Sequence, residues 1–463
     1  MIRFLRNFLR SPTVKLFLIG LLVLLLLVPL GWVGDLIGER ANNAQSVRME
    51  VGEQWGPRQS LIGPILVVPY VLRVESSENG KRVQSRMERF GVFTPETLDV
   101  SGQADTRKLH RSIYDVPVYD ARLKFSGRFA PVRIAEIESG KVESVRWKDA
   151  VIVLSLSKVA GLQSVGALKI DDGTNIAFAP GTGISSTSWR CASCDSGIHA
   201  RLGDAANLRS GADKGFGFEV DLAFNGSVAL QLAPTAKETR VTLKSDWQSP
   251  SFQGPFLPSE REIGASGFRA TWKVLQLARS GPGSWLLSEG GPERFAPYLF
   301  GVNFVDPVDF YTLLNRAVKY GILFLATSFM TVFLLEVVSR RHVHPVQYLL
   351  TGIALVFFYV LLLSLAEHMG FDSAYAIGAL AMVGLVATYV GAVMKSRGRG
   401  VVMAAILSSL FGLLYFVLCL EDYALLVGAL MGVVALAVMM FVTLRVKWSG
   451  GAQPPELPPQ VEA

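Results

Sequence analysis

Apolar stretches of membrane length recur along this chain, and one long segment between them alternates apolar and polar residues instead. Residues 16–34 form the first run, interrupted only by Pro29. A second covers 317–338, with Lys319 near its start and Glu336 near its end. Residues 346–366 carry no charge, and further runs lie at 373–394, 401–420 and 423–444. Each is close to the roughly 20 residues a helix needs to cross ~30 Å of hydrocarbon.

Between 35 and 315 the periodicity changes. DLIGERA at 35–41 continues out of the first run with a partly apolar helical face. After Gly56-Pro57, alternating runs follow, clearest at 67–74, 121–129, 151–157, 218–232 and 240–247. RLKFSGRF (122–129) and RVTLKSDW (240–247) read as strands with one buried and one wet face. Asn79-Gly80, Asp172-Gly173 and Asn225-Gly226 are turn signals, and Asn225-Gly226 between DLAF and SVAL reads as a two-residue hairpin. No strand-helix-strand alternation points to a doubly wound sheet.

The pattern predicts a membrane α-helical protein with an inserted all-β domain. Six transmembrane helices are expected, one N-terminal anchor and five C-terminal, plus a large antiparallel β-sandwich-like domain. Its parts are a basic N-terminus (1–15), a transmembrane helix (16–34), the β-rich domain (35–315), a five-helix transmembrane domain (316–445) and a disordered tail (446–463). The tail holds Pro454, Pro455, Pro458 and Pro459. The first run is longer than the apolar region of a cleaved signal and is read as an uncleaved anchor.

Charge then gives the spans a direction. Arg3, Arg6, Arg10 and Lys15 precede the first run. Arg340 and Arg341, Lys395, Arg397 and Arg399, and Arg445 and Lys447 all fall on the same side if the spans alternate. The short loops on the other side carry Glu367, Asp372, Glu421 and Asp422. Arg316 and Lys319 are the one dissent. The arginine and lysine bias places both termini in the cytoplasm and the β-rich domain outside. The net charge of +7 among 463 residues is therefore largely orientational, and nucleic acid is not expected as a partner. Half the residues are apolar and mean hydropathy is +0.37, which suits several spans plus a sizeable water-exposed domain.

Several segments, in this order, resemble the CreD family of inner-membrane proteins from Gram-negative bacteria. They are Glu39-Arg40, LIGPILVVP (61–69), PSFQGPFLP (250–258) with GFRATW (267–272), RAVKY (316–320), and HPVQYLL (344–350) through SLAEHMGF (364–371). The resemblance implies an inner-membrane protein with a periplasmic domain and a role in cell envelope integrity and colicin tolerance. It brings no catalytic residues.

Candidate residues are few. Glu336 in the last turn of the second span is four residues from Arg340, an acid-first pair that suits a helix end. Glu367 and His368 end the central span, where His368 could titrate near neutrality beside an acid. His342 and His344 lie just before Pro345, which suits a helix start. Cys191 and Cys194 form a C-x-x-C in apparent loop: a small disulfide, idle thiols, a redox pair or a zinc half-site. Trp247, Phe252 and Phe256 could bind a glycan or a partner, or close the end of a sandwich. Gly428-x-x-x-Gly432 suits a close helix contact. No catalytic motif, metal site or cofactor site is expected, so the chain reads as not an enzyme. The partners expected are membrane lipids and periplasmic or envelope proteins. The alternative to an envelope role is a transporter or flippase of an apolar or lipid-like molecule, for which the absence of mid-depth Asp, Glu, Lys or His in the spans is no obstacle.

Overall fold

The computed structural model describes residues 12–78, 81–171, 173–184, 189, 196–203, 215–304, 310–339, 342–420 and 424–443. It divides into two compact units, Met1–Ala44 with Val308–Ala463, and Gln45–Pro307. The turn at Asn79-Gly80, residue Asp172, Arg340 and Arg341, Cys191 and Cys194, and the tail from 446 lie outside the described residues.

Helix α1, Pro12–Trp55, runs 44 residues without a break through Pro29, so the helical signal at 35–41 is realised. It contributes residues 12–44 to one unit and 45–55 to the other. In the first part Ile19, Val23, Leu26, Leu30, Val33 and Ile37 are buried, at alternating spacings of four and three. That spacing keeps a narrow seam against neighbouring helices. Phe17, Leu24, Leu25 and Trp32 on the opposite face are exposed, as expected where hydrocarbon is the solvent.

The helical unit continues with α2 (Phe310–Lys319), α3 (Gly321–Ser339), α4 (Pro345–Met369), α5 (Phe371–Val393), α6 (Arg397–Cys419) and α7 (Ala424–Thr443). Among the described residues, α1, α3, α4, α5 and α6 are long and apolar enough to cross a membrane, and α7 adds an apolar helix of 20 residues. The second apolar run is not one helix. It breaks at Tyr320, and α2 is amphipathic, burying Tyr311, Leu314 and Ala317. Arg316 and Lys319 thus sit in the last turn of a short separate helix, where cations suit the helix dipole. This removes them from the α3 span.

Small residues set the helix contacts. A Cβ on Gly352 of α4 would lie 2.2 Å from Leu26 of α1 and 2.6 Å from Phe329 of α3, and one on Gly321 would lie 2.7 Å from Leu30. Gly428 of α7 meets the Tyr320 ring, at 2.8 Å from such a Cβ, whereas nothing lies within 4 Å of Gly432. The expected Gly-x-x-x-Gly contact therefore reduces to its first glycine.

In the second unit the strands are β1 (Gln59–Glu78), β2 (Lys81–Phe93), β3 (Thr97–Arg111), β4 (Tyr114–Phe129), β5 (Val142–Val145) and β6 (Val151–Leu156). Next come β7 (Leu162–Val165), β8 (Leu168–Ile170), β9 (Asn175–Ile176), β10 (Ala179–Pro180), β11 (Ser196–Arg201), β12 (Phe216–Ser227) and β13 (Ala229–Leu232). The last are β14 (Glu238–Ser245), β15 (Ser251–Gln253), β16 (Glu260–Gly264), β17 (Gly267–Leu275), β18 (Ser284–Leu286) and β19 (Phe300–Asn303). One sheet has the order β10-β11-β6-β1-β13-β19-β15, with β2 and β5 also on β1 and β18 on β2. The other has the order β16-β17-β14-β3-β4-β12-β8-β9, with β7 on β12.

The expectation of purely antiparallel sheets is corrected: β1 pairs with β13, and β3 with β14, in parallel. A parallel pair needs a long crossover, and here the intervening strands of both sheets provide it. The Asn225-Gly226 hairpin is also corrected. Both residues lie within β12, opposite Asp120 and Tyr119. The glycine is required because a Cβ there would lie 2.2 Å from the Tyr119 ring. The chain changes sheet two residues later at Val228, which takes φ 64°.

One hydrophobic core holds Leu66, Val68 and Tyr70 of the first sheet with Leu123, Phe125, Val241 and Trp272 of the second. Strand β14 shows the cause, since Thr239, Val241, Leu243 and Ser245 are buried while Glu238, Arg240 and Lys244 are exposed. Phe252 lies 5.6 Å from Trp272, and Trp272 5.6 Å from Phe300, ring centre to ring centre. The aromatic stretch around 250–272 therefore joins the two sheets. The end of α1 also belongs to this unit: Val51 packs on Val116 and Val118, and Arg107 covers the Trp55 ring at 4.2 Å.

Candidate functional site

The most completely built polar site is at the end of the bundle where α3 stops and α4 begins. Glu336 is 4 % exposed. Its Oε2 accepts from the Tyr348 hydroxyl at 2.9 Å, and its Oε1 accepts from the Val343 N–H at 3.1 Å. Lys15 of α1 forms an ion pair with the same carboxylate. His342 Nδ1 stands 3.7 Å from Oε1. A buried carboxylate is tolerated when donors replace its hydration, and here those donors come from α1, α4 and the segment joining α3 to α4. The expected partner Arg340 is outside the described residues.

Sequence reasoning missed Lys15 and Tyr348. Lys15 lies 321 residues from Glu336 in the chain, and no periodicity relates them. Tyr348 was legible only as part of the apolar face of α4.

The other candidates do not join this cluster. His344 is the N-cap of α4: its ring accepts from Val346 N–H at 3.3 Å, and Gln347 completes a capping box by accepting from His344 N–H at 2.9 Å. That is a helix-start role. At the opposite end of α4, Glu367 accepts a 3.3 Å hydrogen bond from Tyr311 of α2, and the exposed His368 sits in the last turn. Asp372, which begins α5, accepts from Tyr415 at 3.0 Å. The pair Glu367-His368 is thus not gathered into one site with His344 or Glu336. Among the described residues of the bundle, the Tyr359 and Ser328 hydroxyls are buried without a hydrogen-bond partner.

A second buried carboxylate occupies the β-domain. The Glu138 side chain, 7 % exposed, accepts from Tyr70 at 2.9 Å, Arg89 at 3.1 Å and Gly140 N–H at 2.9 Å. Burial pushes its pKa up, but the Gly140 N–H, the Tyr70 hydroxyl and the Arg89 guanidinium together outweigh it. The carboxyl therefore titrates below its ordinary value of 4.5. The Tyr70 hydroxyl is pushed up by burial first and by Glu138 second. Among the described residues no group of three or more His, Cys, Asp or Glu side chains could hold a metal ion.

The family described as Inner membrane protein CreD matches residues 11–449. The chain belongs to the CreD family. It is 32% identical over 431 residues to Inner membrane protein CreD of Escherichia coli (strain K12), covering 92% of this chain and 91% of that one. The family resemblance seen in the separate segments thus extends along nearly the whole chain. With its apolar helices, this CreD-family chain is an inner-membrane protein that crosses the bilayer more than once. LIGPILVVP (61–69), one of the resembling segments, is the buried middle of β1, and HPVQYLL (344–350) carries both the α4 cap and Tyr348.

Proposed function

We propose that this protein is a non-enzymatic component of the inner membrane that supports envelope integrity through its β-rich domain on the periplasmic side. In this reading six helices cross the membrane, with both termini in the cytoplasm. The observation that carries it is the segregation of charge on the bundle. Lys15, Lys395, Arg397 and Arg399 occupy one set of span ends, and Glu367 and Asp372 the other. Arg316 and Lys319, in the last turn of α2 just before α3, remain the one dissent from this direction. The size of the β-domain and the lack of mid-span charge favour work done outside the bilayer.

The test is complementation with crosslinking. A strain lacking the gene should regain resistance to detergent and envelope stress with the full chain, and lose it when residues 59–304 are replaced by a short linker. Photo-crosslinkers on exposed strand positions of the β-domain should capture an envelope component in cells. Full rescue by the chain without the domain would overturn the proposal.

A second reading, handling of a lipid-like molecule, is favoured by one observation. A groove of about 700 Å³ between α3, α6 and α7 is lined by Leu323, Met330, Leu334, Ile406, Leu413 and Leu430. Accelerated movement of labelled lipid between leaflets of reconstituted vesicles, lost on Ile406→Trp, would select this reading.

A further inference from the structure

Where α5 ends and α6 begins, a cavity of about 510 Å³ lies between the two helices. Its floor is backbone. A Cβ on Gly400 of α6 would come 2.9 Å from the Ala387 carbonyl oxygen of α5, and one on Gly391 would come 3.3 Å from the Gly400 Cα. Ala392, Val401 and Ala404 form its walls. Such a slot is narrow, apolar and open along the helix surface, a shape suited to one acyl chain.

Its mouth is cationic. Lys395 and Arg397 line the cavity and are exposed, and neither side chain forms an ion pair or a hydrogen bond among the described residues. Arg399 differs, since it donates to the Met394 carbonyl at 3.0 Å and so closes α5. Among the described residues, no carboxylate lines the cavity. Ser396 does not cap α6 with its side chain, so the first-turn N–H groups add to the positive potential at the mouth.

An apolar slot that ends in two uncompensated cations at a span terminus matches one occupant chemically. We propose that this cavity binds a single anionic phospholipid, with an acyl chain between α5 and α6 and the phosphate at Lys395 and Arg397. Basic pockets between membrane helices recognise anionic headgroups in this way. The proposal needs no assumption about which leaflet the site faces, and goes beyond the β-domain role proposed above.

Full-length protein in detergent would be titrated with phosphatidylglycerol or phosphatidylcholine, and bound lipid counted by native mass spectrometry. Wild type should retain phosphatidylglycerol more tightly than phosphatidylcholine, at one site. Lys395→Asn with Arg397→Gln should weaken phosphatidylglycerol by roughly 25-fold, about fivefold per charge, and leave phosphatidylcholine unchanged. Asn is chosen because position 395 has φ 47°, a conformation Asn tolerates. Ala392→Leu, at an exposed wall position, should weaken both lipids by filling the slot. Arg316→Gln with Lys319→Gln removes the same charge from α2 and should change neither by more than about twofold. Equal retention of the two lipids by wild type, or equal losses from the 395/397 and 316/319 pairs, would overturn the site.

Discussion

Glu336 in the helical bundle and Glu138 in the β-domain are held by the same three kinds of donor: a tyrosine hydroxyl, a basic side chain and a backbone N–H. Their surroundings differ. The Arg89 side chain beside Glu138 is 37 % exposed, while Lys15 beside Glu336 is 17 % exposed. Water can replace a lost partner more readily at the first than at the second, where the basic partner itself is more deeply packed. One constellation is thus a loop fastening in the β-domain and a joint between three helical segments in a bundle. The cost of breaking it should follow solvent access rather than the number of hydrogen bonds.

The largest effect is expected for Glu336→Ala. It leaves Lys15 partly buried without its carboxylate, a loss of about 3–5 kcal/mol, read as a lowered thermal midpoint of the full-length protein in detergent. Lys15→Met should cost a similar amount, and Lys15→Met with Glu336→Leu should recover a large part because no buried charge remains. Additive losses in the double variant would show that the two residues do not act as a pair.

Next come the tyrosines. A hydrogen bond to a charged group contributes about 1.5–3 kcal/mol. Tyr348→Phe should fall at the upper end of that range and Tyr70→Phe at the lower end or below it, since water can reach Glu138 beside Arg89. Equal losses in the two variants would remove the role given to solvent.

The Glu138 site also predicts a pH profile. Because the folded Glu138 titrates below 4.5, its contribution is complete above its unfolded value and is lost as pH falls through the folded one. The β-domain should therefore weaken as pH drops below about 4.5, and Glu138→Gln should flatten part of that fall. Glu143, held low first by its hydrogen bond to Arg86 at 2.5 Å, adds to the same fall. It is more exposed, so its share should shrink in high salt. A Glu138→Gln profile identical to wild type in high salt would refute the assignment. The smallest effect is expected at Glu367, whose one 3.3 Å bond from Tyr311 predicts a change of about 0.5 kcal/mol or less for Glu367→Gln.

Local pattern alone determined a good deal of this protein. The apolar runs became α1 and α3 to α7, because a backbone in hydrocarbon must satisfy its own hydrogen bonds within one segment. The strand at 240–247 was legible in alternating residues because one face of β14 meets a core. Where a short-range signal had a long-range cause, the sequence misled. Asn225-Gly226 carries the residues of a hairpin turn, yet the glycine is there for the Tyr119 ring. Arg316 and Lys319 looked like charges at the start of a span until the break at Tyr320 assigned them to α2. The parallel pairings of β1 with β13 and β3 with β14, and the meeting of Lys15 with Glu336, join residues far apart in the chain. No repeat in the sequence encodes such a contact, and only the packed structure decides it.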